Sequence, residues 1–275
     1  MAGRVSYDFG GAVVMVTGGA RGQGLSHALA FARSGATVVV LDLGRAAIDG
    51  VPYGLSGPED LGCAQQQLAA VSPEHRVLAV DVTDEAQVAD AFARVRCDFG
   101  RVDVLINNAG VNGVASIEGT TSALLGAVTR VNLVGTFLCC KHAMAPMRSA
   151  GGGRIVNVAS MAAFVGGVNQ VAYAATKAGV VGLTRALAVE AGPHNIRVNA
   201  VCPSLVMSPQ SVGLTKSAAA SGARPSFGPV MPYVLPGLTA LDAQDVTGVV
   251  LWLSSEAARW VTGTVLTLDG GRSIK

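Results

Sequence analysis

Two residues with complementary proton chemistry lie one helical turn apart in this sequence. Tyr173 and Lys177 are four positions apart in an alanine-rich stretch that predicts a helix, so their side chains project from the same face. A free tyrosine has a pKa of about 10 and is a poor base at neutral pH. A nearby ammonium lowers that pKa, which predicts a general acid–base pair. An exposed helical pair without a chemical role is the alternative, because this spacing is common.

Ser160 and Asn132 add polar groups that favour the chemical interpretation. Ser160 ends a predicted strand 13 residues before Tyr173, where its hydroxyl can donate a hydrogen bond to a substrate oxygen. Asn132 lies among apolar neighbours in a predicted helix, and we expect it to hold a water that connects Lys177 to solvent. The four residues together predict a proton-transfer centre for an alcohol and its carbonyl.

A glycine-rich turn predicts a site for the phosphates of a dinucleotide. The first predicted strand runs into Thr17–Gly24, with the spacing GxxxGxG, and a predicted helix follows. Glycines let the backbone approach a pyrophosphate closely, and a helix N-terminus offers unpaired N–H groups to an anion. A strand-to-helix turn without a ligand is the alternative.

Acidic and amide side chains follow the next three predicted strands. Asp42 lies 18 residues after Gly24, where a carboxylate can accept hydrogen bonds from ribose hydroxyls and repel the extra phosphate of NADP. This position predicts NAD, with NADP as the less favoured cofactor. Asp81 can reach an adenine, or it can cap the helix that starts near Asp84. The segment Asn107–Gly110 closes the fourth strand, and Gly110 leaves room for a cofactor.

Short apolar runs alternate with longer helical segments from one end of the chain to the other. The predicted strands are Ala12–Thr17, Thr37–Asp42, Arg76–Val80, Val102–Ile106, Arg154–Ala159, Arg197–Val201 and Thr264–Asp269. The predicted helices are Ser26–Ser34, Glu85–Phe99, Leu124–Arg148 and Ala172–Glu190. This alternation predicts an α/β fold with a doubly wound parallel sheet, in a three-layer Rossmann-type arrangement of seven strands. We expect one domain over residues 1–275.

Two segments interrupt the alternation, and each follows the carboxyl end of a strand. Residues 43–62 predict an inserted loop, and residues 203–241 predict a loop that covers the substrate. A surface loop without a function is the alternative for the insertion. The expected pocket walls are mostly apolar and hold no cation, which favours a neutral, hydrophobic alcohol. They comprise Met161, Phe164, Val165, Val168, Asn169, Gln170, Leu205, Val206, Met207, Val212 and Leu214.

Composition narrows the classes of partner. The chain has 275 residues, of which 50% are hydrophobic and 14% charged, and its net charge of +2 does not favour nucleic acid. Charges interrupt the apolar stretches, so we expect no membrane span. The five cysteines and four histidines are scattered, which predicts no metal site and a reducing cytoplasm. The expected partner is a small-molecule substrate.

The combined motifs resemble the short-chain dehydrogenase/reductase family. They are the Thr17–Gly24 turn, Asn107–Gly110, Asn132, Ser160, the pair Tyr173 and Lys177, and the ending Val261–Gly271. The resemblance implies NAD or NADP, a catalytic tetrad of Asn132, Ser160, Tyr173 and Lys177, and a homotetramer. The cofactor residues that motif and resemblance predict are Gly18, Arg21, Gly22, Gln23, Gly24, Asp42, Leu43, Asp81, Val82, Asn108, Ala109, Gly110, Tyr173, Lys177, Pro203, Ser204 and Val206.

A narrower resemblance concerns the first turn and the insertion. The segment Ala20–Ala28, Asp42-Leu43 and Val51-Pro52-Tyr53 resemble the mycofactocin-associated, carveol-dehydrogenase-like subfamily. That resemblance implies alcohol oxidation with NAD that stays bound and is covered by the insertion. The chain departs from the family after the sixth strand, where Ser204 replaces a glycine and Ser208 stands in for a threonine.

Two other functions remain open on the sequence. One is a biosynthetic reductase of ketoacyl thioesters, and the other is a catalytically silent dinucleotide-binding sensor.

Overall fold

Seven parallel strands form one sheet in the order β3-β2-β1-β4-β5-β6-β7 in a computed structural model that describes residues 5–220 and 233–274. The strands are β1 Val13–Thr17, β2 Thr37–Asp42, β3 Arg76–Ala79, β4 Val104–Asn107, β5 Gly153–Val158, β6 Ile196–Pro203 and β7 Val265–Leu268. The strand order reverses between β1 and β4, which is where open sheets of this type bind ligands. The predicted fold class and strand count are confirmed.

Helices cover both faces of the sheet. They are α1 Gly22–Arg33, α2 Pro58–Ala69, α3 Glu85–Phe99, α4 Ser122–Thr129, α5 Thr136–Ser149, α6 Val171–Ala191, α7 Pro209–Ala220 and α8 Ala243–Ser254, with a π-helical segment Arg130–Gly135 that joins α4 to α5. Alternate residues along each strand face opposite layers. Val14 and Val16 of β1 pack with α1 and α8, whereas Val13 and Met15 pack with α3 and α5.

Three helices are absent from the sequence prediction. The expected insertion over residues 43–62 is irregular only as far as Gly57, because Pro58 begins α2. The Gly57 N–H donates to the Asp60 carboxylate at 2.8 Å, and Leu68 packs in the core. Helix α7 lies inside the expected loop 203–241, of which residues 221–232 are outside the described part. Helix α8 follows that loop.

One helical stretch has the length and apolarity of a membrane span, contrary to the sequence expectation. It runs over Ser122–Ser149, and 56% of its most apolar window is buried in the protein. Its buried residues include Leu138, Cys139 and Met147, which pack against the sheet. This is the packing of a core helix, which meets the same criteria of length and composition.

Candidate active site

A cavity of about 640 Å³ lies at the carboxyl edge of the sheet and collects nearly all the predicted site residues. Its lining includes Gly18, Arg21, Gly22, Gln23, Asp42, Leu43, Asp81, Val82, Asn108, Ala109, Gly110, Ser160, Tyr173, Lys177, Pro203, Ser204 and Val206. Of the predicted catalytic and cofactor residues, Gly24 and Asn132 lie outside this lining.

The glycine turn is fixed to the end of β4. Thr17 Oγ1 accepts from the N–H groups of Asn108 and Ala109, each at 3.0 Å, and Asn108 Nδ2 donates to Gly18 O at 2.9 Å. Gly18 has a φ of +62°, and a Cβ there would lie 2.7 Å from Ala109 Cα. A Cβ on Gly24 would collide with the Gly18 carbonyl oxygen. Only glycine therefore fits at both positions.

The first turn of α1 fits a pyrophosphate. It carries no acidic residue, and the Arg21 side chain makes no capping hydrogen bond. Helix N-termini with unpaired N–H groups attract anions. Gln23 Oε1 is buried without a partner among the described residues, and its amide can rotate to present a donor instead. These features match the phosphate end of a dinucleotide.

The Asp42 carboxylate forms hydrogen bonds with both the glycine turn and the insertion after β2. Its carboxylate accepts from Ala20 N at 2.9 Å, from Leu43 N at 2.8 Å and from the Ser56 hydroxyl. A carboxylate offers about four acceptor positions, so one remains for a ribose hydroxyl. The buried negative charge lies at the end of the cavity where the sequence predicts the adenosine.

Asp81 is not the cap of α3. The Asp84 side chain caps that helix, accepting from Ala86 N at 2.9 Å and Gln87 N at 3.2 Å. Asp81 Oδ1 instead accepts from the Thr83 hydroxyl at 2.7 Å, and Arg45 lies 3.4 Å from Oδ2. Of the two roles left open by the sequence, the helix cap is wrong.

Lys177 and Tyr173 are both enclosed in the cavity wall. Lys177 Nζ donates to Val158 O at 2.8 Å and lies 5.6 Å from the centroid of the Tyr173 ring. A Cβ on Gly110 would lie 3.4 Å from Lys177 Nζ and from Asn132 Oδ1. A side chain at position 110 would therefore contact both polar groups.

Asn132 braces the loop after β4. Its Oδ1 accepts from Val111 N at 2.8 Å, and its Nδ2 donates to Val111 O at 2.9 Å and to Thr176 Oγ1 at 3.2 Å. The residue lies in the π-helical segment between α4 and α5. Its side chain is therefore committed to the backbone of residue 111, which fixes the position of Gly110.

Burial sets the proton affinities of the pair. It raises the pKa of Tyr173 to about 12, and a hydrogen bond with Ser160 works in the opposite direction. Burial also lowers the pKa of Lys177 to about 8. The expected lowering of the Tyr173 pKa is wrong for this structure, because desolvation of the phenolate outweighs the hydrogen bond with Ser160.

Tyr53 and Gln210, which the sequence did not place among the site residues, also line the cavity. Tyr53, in the insertion, accepts from Asn112 N at 2.9 Å and from Gln210 Nε2 at 3.0 Å. Gln210, in α7, also donates to Gly110 O at 3.0 Å. The contact between residues 53 and 210 joins segments far apart in the chain, so no local pattern predicts it.

The predicted pocket walls are correct in part. Met161, Val165, Val168, Gln170, Leu205, Val206 and Leu214 line the cavity, whereas Phe164, Asn169, Met207 and Val212 do not. Ser208 lines it and also exchanges hydrogen bonds with Ser211 at the start of α7. Arg272, from the turn after β7, adds a cation to the lining that the sequence did not predict.

Comparisons with known proteins identify the family of this chain. A family model described as short chain dehydrogenase matches residues 12–218. D-threitol dehydrogenase of Mycolicibacterium smegmatis is 36% identical over 273 residues, covering 98% of this chain and 97% of that protein. Levodione reductase of Leifsonia aquatica is 34% identical over 264 residues, covering 95% and 94%. Carveol dehydrogenase from Mycobacterium avium, crystallised in complex with NAD, is 32% identical with a TM-score of 0.89, covering 98% of this chain and 100% of that chain.

This chain therefore belongs to the short-chain dehydrogenase/reductase family. It is a nicotinamide-dependent oxidoreductase that acts on an alcohol or a ketone.

Proposed function

We propose that the protein is an NAD-dependent dehydrogenase of secondary alcohols, with Tyr173 as its proton-transfer group. The observation that carries this proposal is the enclosure of Tyr173, Lys177 and Ser160 in the cavity that also holds the glycine turn. When bound, the nicotinamide supplies the hydride acceptor or donor. Side chains and backbone groups of the protein supply the proton transfer, the orientation of the substrate and the binding of the cofactor.

Each member of the tetrad has a distinct role in the proposal. Tyr173 removes the hydroxyl proton in oxidation and returns it in reduction. Ser160 donates a hydrogen bond to the substrate oxygen, while Lys177 holds the nicotinamide ribose and its ammonium favours the phenolate. Asn132 positions the backbone at Val111, and with it Gly110.

The preference for NAD over NADP rests on Asp42. A buried carboxylate repels the dianionic 2′-phosphate, whose desolvation beside like charge is costly. Relatives of known structure support this preference, since carveol dehydrogenase from Mycobacterium avium was crystallised with NAD. The remaining cofactor contacts are proposed for the glycine turn, residues 108–110 and residues 203–206.

The substrate is proposed to carry its hydroxyl on an apolar skeleton. Met161, Val165, Leu205 and Leu214 line the wall beyond the tetrad. The relatives named above act on levodione, carveol and threitol, which are small alcohols or ketones. An alicyclic or terpenoid alcohol fits this wall best.

The family resemblance further supports a single-domain subunit in a cytoplasmic homotetramer. The resemblance implies that the long helices carrying Asn132 and Tyr173 pack between the subunits of such a tetramer. Phe137, on the helix that continues from Asn132, is 50% exposed, and Val189 of α6 is 80% exposed. Membership of the mycofactocin-associated subfamily, with NAD held through many turnovers, belongs to the same proposal. Mass spectrometry of gently released ligand tests it, because stoichiometric NAD should accompany the purified protein.

Replacing Tyr173 by Phe tests the proposed function. Turnover of alcohols such as carveol should fall by at least about a thousandfold, as expected for loss of a proton-transfer group. NAD should still bind, as measured by calorimetry after removal of any bound cofactor, because the other predicted cofactor residues remain. Surviving turnover would refute the role of Tyr173. A wild-type protein that binds NAD but turns over no alcohol or ketone would instead be a silent sensor, and one that prefers ketoacyl thioesters with NADPH would be a biosynthetic reductase.

A further inference from the structure

The residue that precedes α6 places a carboxamide in the cavity wall. Gln170 is 6% exposed and lines the cavity, and its Nε2 is buried with no hydrogen-bond partner within residues 5–220 and 233–274. In the same described part of the chain, its side chain forms no capping hydrogen bond to α6, although Gln170 is the N-cap residue. A buried donor without an acceptor is costly, so a ligand that accepts from this amide gains affinity.

The backbone around Gln170 fixes the position of this amide. Asn169 has a φ of +62°, a left-handed conformation that is uncommon outside glycine, and its carbonyl accepts from Ala115 N at 3.0 Å. A Cβ on Gly167 would lie 2.5 Å from Gln170 Oε1, so glycine leaves room for the carboxamide. The turn before α6 is thus tied to the loop after β4, and the carboxamide packs against its backbone.

Gln170 shares a face of α6 with the two residues of the proposed proton transfer. Gln170, Tyr173 and Lys177 follow one another at spacings of three and four, and all three line the cavity, as expected for one face of a helix. At a rise of 1.5 Å per residue, Gln170 lies about 4.5 Å beyond Tyr173 along the helix axis, on the side away from Lys177. Because Lys177 is proposed to hold the nicotinamide ribose, the amide lies on the substrate side of the tyrosine.

Apolar side chains of the same segment surround this amide in the cavity wall. Met161, Val165 and Val168 lie between β5 and α6 and also line the cavity. In such surroundings of low dielectric constant, a hydrogen bond is electrostatically stronger than in water. A substrate of hydrocarbon alone leaves the amide without a partner, whereas an oxygen at this place in the substrate gives it one.

We propose that Gln170 is a specificity-determining residue that donates a hydrogen bond to an ether or carbonyl oxygen of the substrate, roughly 5 Å from the reacting hydroxyl. The inference rests on the proposed function for the reacting group and adds one acceptor to the apolar skeleton. Rotation of the carboxamide directs its hydrogens toward such an oxygen, since the amide nitrogen carries two donors.

Two alcohols of the same shape test this contact by binding alone. Tetrahydropyran-4-ol differs from cyclohexanol in one ring oxygen, which replaces the methylene across the ring from the carbinol. Each alcohol is titrated by ligand-observed NMR into protein saturated with NADH, a complex that does not oxidise it. The dissociation constant of cyclohexanol divided by that of tetrahydropyran-4-ol should be about 5-fold larger in wild type than in Gln170→Met or Gln170→Leu, as expected for one hydrogen bond. The same ratio in wild type and both variants would overturn the proposal.

A control variant and a wild-type complex complete the binding test. Gln66→Met removes an exposed glutamine of α2 and should keep the wild-type ratio, so a loss of the ratio there as well would overturn the assignment to Gln170. In a crystal structure of wild type with NADH and tetrahydropyran-4-ol, the ring oxygen should lie about 2.7–3.2 Å from the Gln170 amide nitrogen. A ring oxygen directed away from Gln170 would overturn the proposal without any variant.

Kinetics separate this contact from the proposed function. With NAD, kcat/KM for tetrahydropyran-4-ol relative to cyclohexanol should fall about 5-fold in Gln170→Met. If neither alcohol reduces NAD while the difference in binding persists, the proposed function fails and the contact stands. If both alcohols are oxidised at a ratio that Gln170→Met leaves unchanged, the contact alone fails.

Discussion

The phenolic oxygen of Tyr53 lies 3.0 Å from Nε2 of Gln210, and this contact joins the insertion after β2 to α7 across the cavity. Tyr53 also accepts from Asn112 N, and Gln210 donates to Gly110 O. Arg21 fixes the same insertion by donating to Gly54 O at 2.6 Å. The cavity is therefore crossed by a hydrogen-bonded connection between these two segments, and we expect it to slow the release of a bound dinucleotide.

Replacing Tyr53 by Phe should accelerate release of NAD. The ring and its packing against Gly213 remain, but the hydrogen bonds to Asn112 and Gln210 are lost. A loss of one or two such bonds, each worth about 1 kcal/mol, predicts a release rate about 5- to 30-fold higher. Stopped-flow displacement of bound NADH by excess NAD measures it. Tyr7→Phe, outside the cavity lining, is the control, and equal release from wild type and Tyr53→Phe would contradict the prediction.

The sequence predicts the parts of the site that depend on strand ends. Parallel strands place their carboxyl ends at one edge, so Ser160, Asp42 and the Asn107–Gly110 segment could be brought together without coordinates. The first and last residues of β2 and of α3 are the predicted ones. Thr17, in contrast, shows its role only in the structure, where its hydroxyl accepts from two backbone N–H groups of the loop after β4.

The missed features have physical reasons. Helix α2 has only two buried residues, Ala64 and Leu68, so its apolar periodicity is weak and its start depends on Pro58 and Asp60. Arg272 lies far from Ser160 in sequence and reaches the cavity because β7 pairs with β6. The pKa of Tyr173 depends on how deeply the helix is buried, which residue spacing does not reveal.

Alcohol oxidation should accelerate as the pH rises. Oxidation needs the Tyr173 phenolate, and burial raises the pKa of Tyr173 to about 12, so the reactive form is the minor one at neutral pH. Below that pKa, kcat/KM for oxidation should rise by up to about 10-fold per pH unit. Ketone reduction uses the neutral phenol, so its rate should not increase as the pH rises. Initial rates in both directions between about pH 6 and about pH 10 check this sign.

Lys177→Met should shift that oxidation profile to higher pH. The variant removes an ammonium that is charged below the Lys177 pKa of about 8 and favours the phenolate there. A larger fraction of Tyr173 should therefore stay protonated below about pH 8. Lys216→Met, an exposed lysine of α7, is the control and should leave the profile in place. A Lys177→Met profile with the wild-type midpoint would show that the lysine acts only on the ribose.

Replacing Asp42 by Asn should weaken the preference for NAD. The amide keeps the size of the side chain and an acceptor for Ala20 N, but it removes the negative charge that opposes a 2′-phosphate. Loss of one close charge repulsion predicts a shift of about 10- to 100-fold in the ratio of kcat/KM for NAD and NADP. Asp90→Asn, an exposed acid of α3, is the control. An unchanged ratio would show that residues other than Asp42 determine the preference for NAD.

His27 should make the fold sensitive to mild acid. Its ring is fully buried between α1 and α8, with Nδ1 2.7 Å from Thr247 Oγ1, and burial lowers its pKa to about 3. The unfolded chain takes up this proton near pH 6.5 whereas the folded protein does not, so the free energy of unfolding falls as the pH drops below about 6.5, by about 2 kcal/mol at pH 5. Urea unfolding at pH 7.5 and 5 measures this loss. Most of it should disappear in His27→Gln, which keeps a polar group near Thr247, and a smaller part should remain because burial also lowers the pKa of His75. The full loss should persist in the exposed control His194→Gln. The same loss in all three proteins would assign the acid sensitivity to other groups.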